Sequence, residues 1–529
     1  MNNILVIRLG AIGDVVLTTA PIINLKLSFP DSRIHVLTRE YTAPLLEHLA
    51  AVDDIIALPR KITALCLFKT AEMLDQKGFD LVCDLHGNIR SKIISRYISA
   101  PRKVQYPKRR LERMAAVKRH RLIENPPHTI DLYNQAVEEA GGNIFCRRPI
   151  LDLPQNTGNS NYYIENNLPV VAVAPGASYP AKQWPLERFK ELVRRIISEE
   201  MGNVLLLLPE KDRAMQSLAE ELPGDRLKII INADLITLAR AIEASDIMIS
   251  NDSGLAHIGS AVGTPVLALF GPTHPTFGFA PRGLRDRVVQ VDEPCRPCSL
   301  HGQKDCFRDR QYCFTRIEVD HVLANIREML DNHAKGERAI FIDRDGTLIK
   351  EKNFISSPVD VEPETGAIDA VRAARRAGYK IIVISNQSGV ARGYFDEQAV
   401  EAVNNRVKQL FADQNAPLDD IFYCPYYKGG TVPSYTRHVI DRKPGSGMVD
   451  QAAQRHNINP FRSFIVGDKL TDCALAHVVG ARGILVRTGY GRDQEAKMGK
   501  GYVFRPERIV NNLGDAVDYI AGNSKGIIR

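Results

Sequence analysis

The chain of 529 residues has no apolar run approaching the roughly 18 residues that cross a bilayer, and Arg8 and Asp14 interrupt its apolar N-terminus. Neither a membrane span nor a cleavable signal is expected. Cysteine is scarce: nine thiols in a chain this long make no disulfide scaffold, which fits a reducing, cytoplasmic setting. Tryptophan occurs once, at Trp184, and there is neither a sequence repeat nor a low-complexity tract. The rest is ordinary for a globular chain, with 44% apolar and 25% charged residues, 37 Gly and 30 Pro. That composition excludes collagen-like, coiled-coil and largely disordered classes. At roughly 150 residues per domain, the length suggests three domains.

The net charge of +7 is unevenly placed. Between Arg102 and Arg121 nine Lys or Arg stand against one acid, Glu112, a surplus of eight that exceeds that of the whole chain. Such a patch suits an anionic partner, whether phosphorylated lipid head groups, a membrane surface or nucleic acid, with a solvated helix face as the alternative.

Short apolar runs alternate with amphipathic stretches three times over, the pattern of parallel sheets crossed by helices. In the first block strands are predicted at 4–7, 33–37 and 80–85. A polar linker at 155–161 precedes strands at 170–174, 204–208, 247–250 and 266–270, closed by a helix at 318–330. A connector at 331–337 leads to strands at 339–343, 380–385, 464–468 and 483–487. The expected domains are residues 1–153, 154–333 and 338–529 of an α/β chain.

Glycine-rich turns follow several of these strands. Arg8-Leu9-Gly10-Ala11-Ile12-Gly13-Asp14 lies between a strand and an apolar helix, where outward amides can hold an anion and Asp14 is near enough to act on substrate. On spacing alone Asp14 also fits a helix cap. The second block carries Pro175-Gly176-Ala177-Ser178 with Lys182 and Trp184 downstream, then Ser250-Asn251-Asp252-Ser253-Gly254-Leu255-Ala256-His257 and Phe270-Gly271-Pro272-Thr273. Small residues at a helix start suit a diphosphate cradle, with Lys182 as counter-charge, although each piece alone is a capping motif as readily as a site.

Together these stretches resemble the ADP-heptose lipopolysaccharide heptosyltransferases, glycosyltransferase family 9, across about residues 1–330. The resemblance implies a GT-B pair of Rossmann-like domains, the acceptor on the first lobe and the nucleotide sugar mainly on the second, with inversion at the anomeric carbon and no metal. By position it makes Asp14 the general base and Lys182 the counter-charge for the departing diphosphate. It places Gly13, Asp252, Ser253, Gly254 and His257 at the nucleotide sugar, with His257 open to a structural role and Trp184 read as packing. Asp84-Leu85-His86-Gly87-Asn88-Ile89-Arg90 matches the acceptor-side loop, with Arg90 as anion contact. His86 stands where glutamine is more usual and is given no catalytic role. Inner-core lipopolysaccharide carries carboxylates and phosphates, so Arg109 and Arg110 join the acceptor side. The implied partners are ADP-heptose and an anionic lipopolysaccharide inner-core acceptor at the inner membrane surface, not nucleic acid.

Cys295, Cys298, Cys306 and Cys313 cluster before the closing helix. They could make a structural Zn2+ site, since the first pair has the right bite; the second pair is too widely spaced for a usual knuckle, and free thiols or a redox pair are the alternative.

In the third block, Phe341-Ile342-Asp343-Arg344-Asp345-Gly346-Thr347 ends a strand with two carboxylates one residue apart. Such a pair can bind Mg2+, with one carboxylate attacking phosphorus and the other moving a proton. Ser385-Asn386-Gln387-Ser388-Gly389, Arg442-Lys443-Pro444 and Gly467-Asp468-Lys469-Leu470-Thr471-Asp472 complete four stations that a parallel sheet brings to one crevice. The set resembles the haloacid dehalogenase superfamily over about residues 338–495, and within it the D-glycero-D-manno-heptose 1,7-bisphosphate 7-phosphatases, a branch that includes histidinol phosphatases.

That resemblance implies a Rossmann-like phosphatase domain, and the spacing from Asp343 to Ser385 leaves no room for a large cap. Asp343 becomes the nucleophile and Asp345 the general acid, then base. Ser385, Asn386, Arg442 and Lys443 hold phosphate and substrate; Mg2+ rests on Asp343, the backbone of Asp345, and Asp468. The branch's zinc loop is not matched: Cys424-Pro425-Tyr426-Tyr427 keeps the first Cys but has tyrosine at the histidine position, and Val439-Ile440-Asp441 stands where the last cysteine pair belongs. The expected function is bifunctional: heptose transfer, and hydrolysis of heptose bisphosphate. Another phosphate ester, such as histidinol phosphate, or a non-catalytic docking domain are the alternatives for the third block.

Overall fold

The computed structural model describes residues 1–154, 167–210, 215–331, 336–499 and 502–527. The linker at 155–161 and residues 332–335 of the connector lie outside the described residues.

The buried apolar runs form the centres of three parallel sheets. The first contains β1 (Asn3–Ile7), β2 (Arg33–Arg39), β3 (Asp54–Leu58), β4 (Leu81–Asp84) and β5 (Arg102–Gln105), in the order β3-β2-β1-β4-β5. The second contains β6 (Val170–Ala174), β7 (Asn203–Leu208), β8 (Leu227–Ile231), β9 (Ile247–Asn251), β10 (Val266–Leu269) and β11 (Arg287–Val289), in the order β11-β10-β9-β6-β7-β8. The third contains β12 (Ala339–Ile342), β13 (Lys380–Asn386), β14 (Asp420–Cys424), β15 (Phe464–Gly467), β16 (Arg482–Val486) and β17 (Arg508–Val510), in the order β14-β13-β12-β15-β16-β17. Central strands are covered on both faces, so they read as unbroken apolar runs: Ile4, Leu5, Val6 and Ile7 are all fully buried. The crossover helices bury one stripe each. On Leu186–Ser198 the inward residues are Phe189, Leu192, Val193, Ile196 and Ile197, the spacing of one helical face.

By compactness the chain divides into Met1–Asn143 with Arg147–Lys335, and Ile144–Cys146 with Gly336–Arg529. The segment between β12 and β13 carries the helix Ala367–Arg376 and no large insertion. The basic stretch after Arg102, weighed as a helix face, is a helix from Arg110 to Arg119, whereas its first part, Arg102–Gln105, is the strand β5.

In each sheet the strand order reverses at one place: between β1 and β4, between β6 and β9, and between β12 and β15. The crossovers leave those points in opposite directions, which opens a crevice at the carboxyl ends of the strands. Register lines up the strand ends there, Ile7 beside Asp84, Ala174 beside Ser250, and Ile342 beside Val466. The chain segments leaving these six strands carry most of the singled-out motifs; Phe270–Thr273 leaves β10, Ser385–Gly389 leaves β13 and Arg442–Pro444 follows β14.

Candidate active sites

At the first crevice β1 runs into Arg8 and Gly10, and the helix Ile12–Leu17 follows. Gly10 has φ +106°, a conformation that disfavours a side chain, and this turn lets Asp14 come back toward the strand end. Arg8 Nη2 lies 2.5 Å from Asp14 Oδ2, and the Tyr133 hydroxyl donates to Asp14 Oδ1 at 3.5 Å. Arg8 is itself fixed by donating to the carbonyls of Gly10 at 2.9 Å and Leu85 at 2.6 Å. The Ala11 N–H is 3.4 Å from Asp14 Oδ2, so the cap contact coexists with an oriented carboxylate.

The second crevice is closed against this helix. A Cβ on Gly13 would stand 2.4 Å from His257 Cδ2, and one on Gly254 would stand 2.9 Å from Ile12 Cβ. The two helix starts therefore meet through glycine. His257 is buried, its Nδ1 takes no hydrogen bond among the described residues, and burial pushes its pKa down. Beside it Lys182 Nζ pairs with Asp252 Oδ2 at 2.6 Å, and Thr273 Oγ1 donates to the same oxygen at 2.7 Å. Ser253 Oγ is 2.9 Å from Ser250 Oγ. Trp184 is packing: its ring is buried, Nε1 donates to the Ile317 carbonyl, and Phe189 meets it edge-on.

Beyond β4 the Asp84 carboxylate accepts from the N–H groups of His86 and Gly87, both at 2.9 Å, and from Ser91 Oγ, folding this loop onto the helix Ile89–Tyr97. Burial, with Arg8 and Lys108 nearby, pushes the His86 imidazole down to about 3, so it is neutral and no general acid near pH 7. Arg90, Arg109 and Arg110 are exposed; Arg109 also pairs with Glu112 at 2.6 Å. Sequence reasoning missed Arg113, whose guanidinium lies 4.9 Å over Phe279, and Tyr133, which no motif marks.

The four clustered cysteines line one cavity of about 440 Å3. Their thiols do not converge there as a ligand group among the described residues: Cys298 Sγ lies 3.7 Å from the Pro272 carbonyl and Cys306 Sγ 3.6 Å from that of Arg310. The same loop reaches the second crevice at Gly302, which packs on the Lys182 stem.

In the other unit β12 delivers Asp343 to the sheet's reversal point, where it is almost completely buried. Burial alone would raise its pKa; Lys443 and Lys469 outweigh that and hold the carboxylate ionised below its ordinary range. Lys443 Nζ reaches Asp343 Oδ1 at 2.8 Å, Asp472 Oδ1 at 2.7 Å and the Ile384 carbonyl at 3.0 Å. Asn386 anchors the lysine's backbone, accepting from its N–H at 3.0 Å. Asp345 points elsewhere: Arg344 forks onto both its oxygens, and Gln387 Nε2 donates to Oδ2 at 2.8 Å while also donating to Ser385 Oγ at 2.7 Å. Gln387, Lys469 and Asp472 thus enter the site, although sequence reasoning gave none of them a role. Arg442 donates to the Tyr426 carbonyl at 3.1 Å and stacks 4.7 Å over Tyr427, with Arg392 on that ring as well at 4.6 Å. Two guanidiniums therefore meet on the Tyr427 ring just after Cys424.

Asp343, Asp468 and Asp472 form the one group among the described residues whose ligand atoms lie within 4.8 Å of one another. Asp468 Oδ1 is buried and takes no hydrogen bond among the described residues, and the Lys469 ammonium lies 3.2 Å away. Burial and the neighbouring Asp343 raise Asp468 to about 7, the behaviour of a carboxylate site short of positive charge. Oxygen donors alone suit a hard divalent cation such as Mg2+. Gly346 and Gly489, both at positive φ, crowd Asp468 Oδ2, where any Cβ would stand 2.4 Å away.

A family model described as glycosyltransferase family 9 (heptosyltransferase) matches residues 67–305. Models described as polynucleotide kinase 3 phosphatase and HAD-hydrolase-like match 338–476 and 440–516. A D-glycero-D-manno-heptose-1,7-bisphosphate 7-phosphatase of Thermosynechococcus vestitus is 38% identical over 186 residues, 34% of this chain and 94% of that protein. The D-glycero-beta-D-manno-heptose-1,7-bisphosphate 7-phosphatase of Escherichia coli K12 is 37% identical over 195 residues, 36% of this chain and 98% of its own. The solved structure of E. coli ADP-heptose lps heptosyltransferase II covers 63% of this chain and 100% of its own at 21% identity, with a TM-score of 0.47. The chain is therefore a two-part enzyme that carries a glycosyltransferase family 9 domain and, in its C-terminal third, belongs to the heptose-bisphosphate 7-phosphatase family of HAD hydrolases.

Proposed function

We propose that the chain transfers heptose from ADP-heptose to an anionic inner-core lipopolysaccharide acceptor, and hydrolyses the 7-phosphate of D-glycero-D-manno-heptose 1,7-bisphosphate. Residues 1–153 would serve as acceptor lobe, 154–333 as nucleotide-sugar lobe and 338–529 as phosphatase. The observation that carries the reading is the buried Asp343, held ionised by Lys443 and set beside two further carboxylates.

In the phosphatase Asp343 attacks phosphorus, the bond to the sugar oxygen breaks, and Asp345 gives that oxygen a proton. Asp345 then takes a proton from the water that opens the aspartyl-phosphate. Gln387 and Arg344 aim it for both tasks. Ser385, Asn386, Arg442 and Lys443 hold phosphate and substrate. Asp343, Asp468 and the backbone of Asp345 would hold Mg2+, with Asp472 behind them, and the ion supplies charge neutralisation to the transferring phosphoryl group.

In the transferase Asp14, oriented by Arg8, takes the proton of the acceptor hydroxyl as that oxygen bonds to the anomeric carbon and the bond to diphosphate breaks. Lys182 meets the departing charge, and the segment from Asp252 to His257 lies alongside. Arg90, Arg109 and Arg110 meet acceptor anions, which would place the protein peripherally at the inner face of the inner membrane.

Mg2+-dependent phosphate release from heptose bisphosphate and from histidinol phosphate, by the full chain and by Asp343→Asn, tests the phosphatase. Heptose-selective turnover lost in the variant is expected; preference for histidinol phosphate would move the substrate assignment. Asp14→Asn is expected to abolish transfer while ADP-heptose binding persists. Weakened binding with unchanged turnover at saturation would refute Asp14 as the base.

A further inference from the structure

Large apolar side chains left exposed are concentrated in one part of the first unit. Among the described residues fifteen such side chains stand out, and nine lie between Leu65 and Leu122. Scattered singly they would need no explanation; gathered, they mark a surface that something covers.

They line up on helices. On Ile89–Tyr97, Ser91 and Ile94 face the core, while Ile89, Ile93 and Tyr97, four residues apart, face outward. The neighbouring helix Ala64–Asp75 buries Leu67, Ala71 and Leu74 and exposes Leu65 and Phe68, 64% and 52% accessible. Arg110–Arg119 exposes Leu111 and Met114. Ile89 and Leu111, 78% and 83% accessible, each follow by three residues a partner in the hydrogen bond from Lys108 Nζ to the His86 carbonyl. The apolar tips of those two helices therefore border the acceptor loop.

Charge selects the occupant. Over residues 89–122 twelve Lys or Arg stand against one acid, Glu112. Lys92, Arg96 and Lys118 are exposed on the same helices as the apolar rows. A protein interface core is depleted in charge, whereas apolar residues interleaved with lysine and arginine suit an anionic bilayer: rings and aliphatic chains enter the headgroup region and cations meet lipid phosphates.

We propose that this face docks the chain on an anionic lipid surface, Phe68, Ile93 and Leu111 inserting while Lys92, Arg96 and Lys118 hold phosphates. This rests on the acceptor reading above, since it brings the acceptor loop to the layer from which a lipid-anchored acceptor projects.

Vesicle sedimentation of the full chain tests it. Binding to phosphatidylglycerol-rich vesicles, lost at high salt and weak for pure phosphatidylcholine, is expected. Phe68→Ser/Ile93→Ser/Leu111→Ser should weaken that binding about tenfold or more, and Lys92→Gln/Arg96→Gln by a similar factor. Both variants should transfer heptose to a lipid-free inner-core fragment at the unmodified rate, which reports an intact fold. Equal binding to neutral vesicles, or retained binding by the apolar variant, would overturn the proposal. So would self-association abolished by that variant without vesicle binding, which would give the face to a second copy. If the unmodified chain binds vesicles but transfers nothing to the fragment, the acceptor reading fails and the docking surface stands.

Discussion

Gly13 and His257 show how much one atom decides. The missing Cβ of Gly13 is the space that the His257 ring edge occupies, and the buried ring has little room to withdraw. Gly13→Ala is expected to cost about 1–3 kcal/mol by overpacking and to lower transfer, whereas Gly224→Ala, with nothing near its Cβ, should be close to neutral. Chemical denaturation of both variants compares them. His128 supplies a pH dependence. Its Nδ1 accepts from the Ile130 N–H at 3.1 Å, and Nε2 lies 2.9 Å from the Ala280 carbonyl, so the neutral ring caps the helix Thr129–Glu139. Burial and then Arg282 push its pKa down to about 3 from the usual 6.5. The unfolded chain takes up the proton near 6.5 and the folded one does not, so the contribution is whole above that pH and falls as pH drops toward 3. At about pH 5 roughly 2 kcal/mol is lost, and His128→Asn should flatten that part of the Tm profile.

At the scale of elements, the loop we propose for the acceptor depends on a helix cap. Asn88 Oδ1 accepts from the Ser91 N–H at 2.9 Å, and Ser91 Oγ accepts from the Asn88 N–H at 3.0 Å. Asn88→Ala is expected to cost about 1 kcal/mol and to raise the acceptor KM more than it lowers kcat, because the loop frays. Replacing Arg109 and Arg110 together by Ala should raise the acceptor KM and reduce its dependence on salt; an unchanged salt profile would return them to solvent. Legibility in the sequence also followed element position. Every central strand was predicted within a residue or two, and each of the six edge strands, β3, β5, β8, β11, β14 and β17, was missed. An edge strand is covered less completely, so its sequence lacks an apolar run: β5 reads Arg102-Lys103-Val104-Gln105, with only Val104 buried.

Over the whole molecule, the hydrophobic cluster from Ile340 to Ile520 lies within one compact unit and the cluster from Val171 to Met329 within the other. The two activities should then fail separately. Asp14→Asn is expected to leave phosphate release unchanged, and Asp343→Asn to leave heptose transfer unchanged, when both are assayed on each purified full-length variant.

The sequence by itself determined the three α/β blocks and the strand-end motifs, because buried parallel strands and the turns after them obey local rules of polarity and backbone freedom. Asp14, Asp343, Asp345 and Lys443 could be named from it, since their neighbours along the chain mark them. Tertiary structure alone decided which groups face them. Tyr133 reaches Asp14 from 119 residues away, and Gln387 reaches Asp345 from 42. Asp472 joins Asp343 across two strands, and the exposed apolar rows align only once helices pack. Such contacts arise from strand order and helix packing, and spacing along the chain does not encode them.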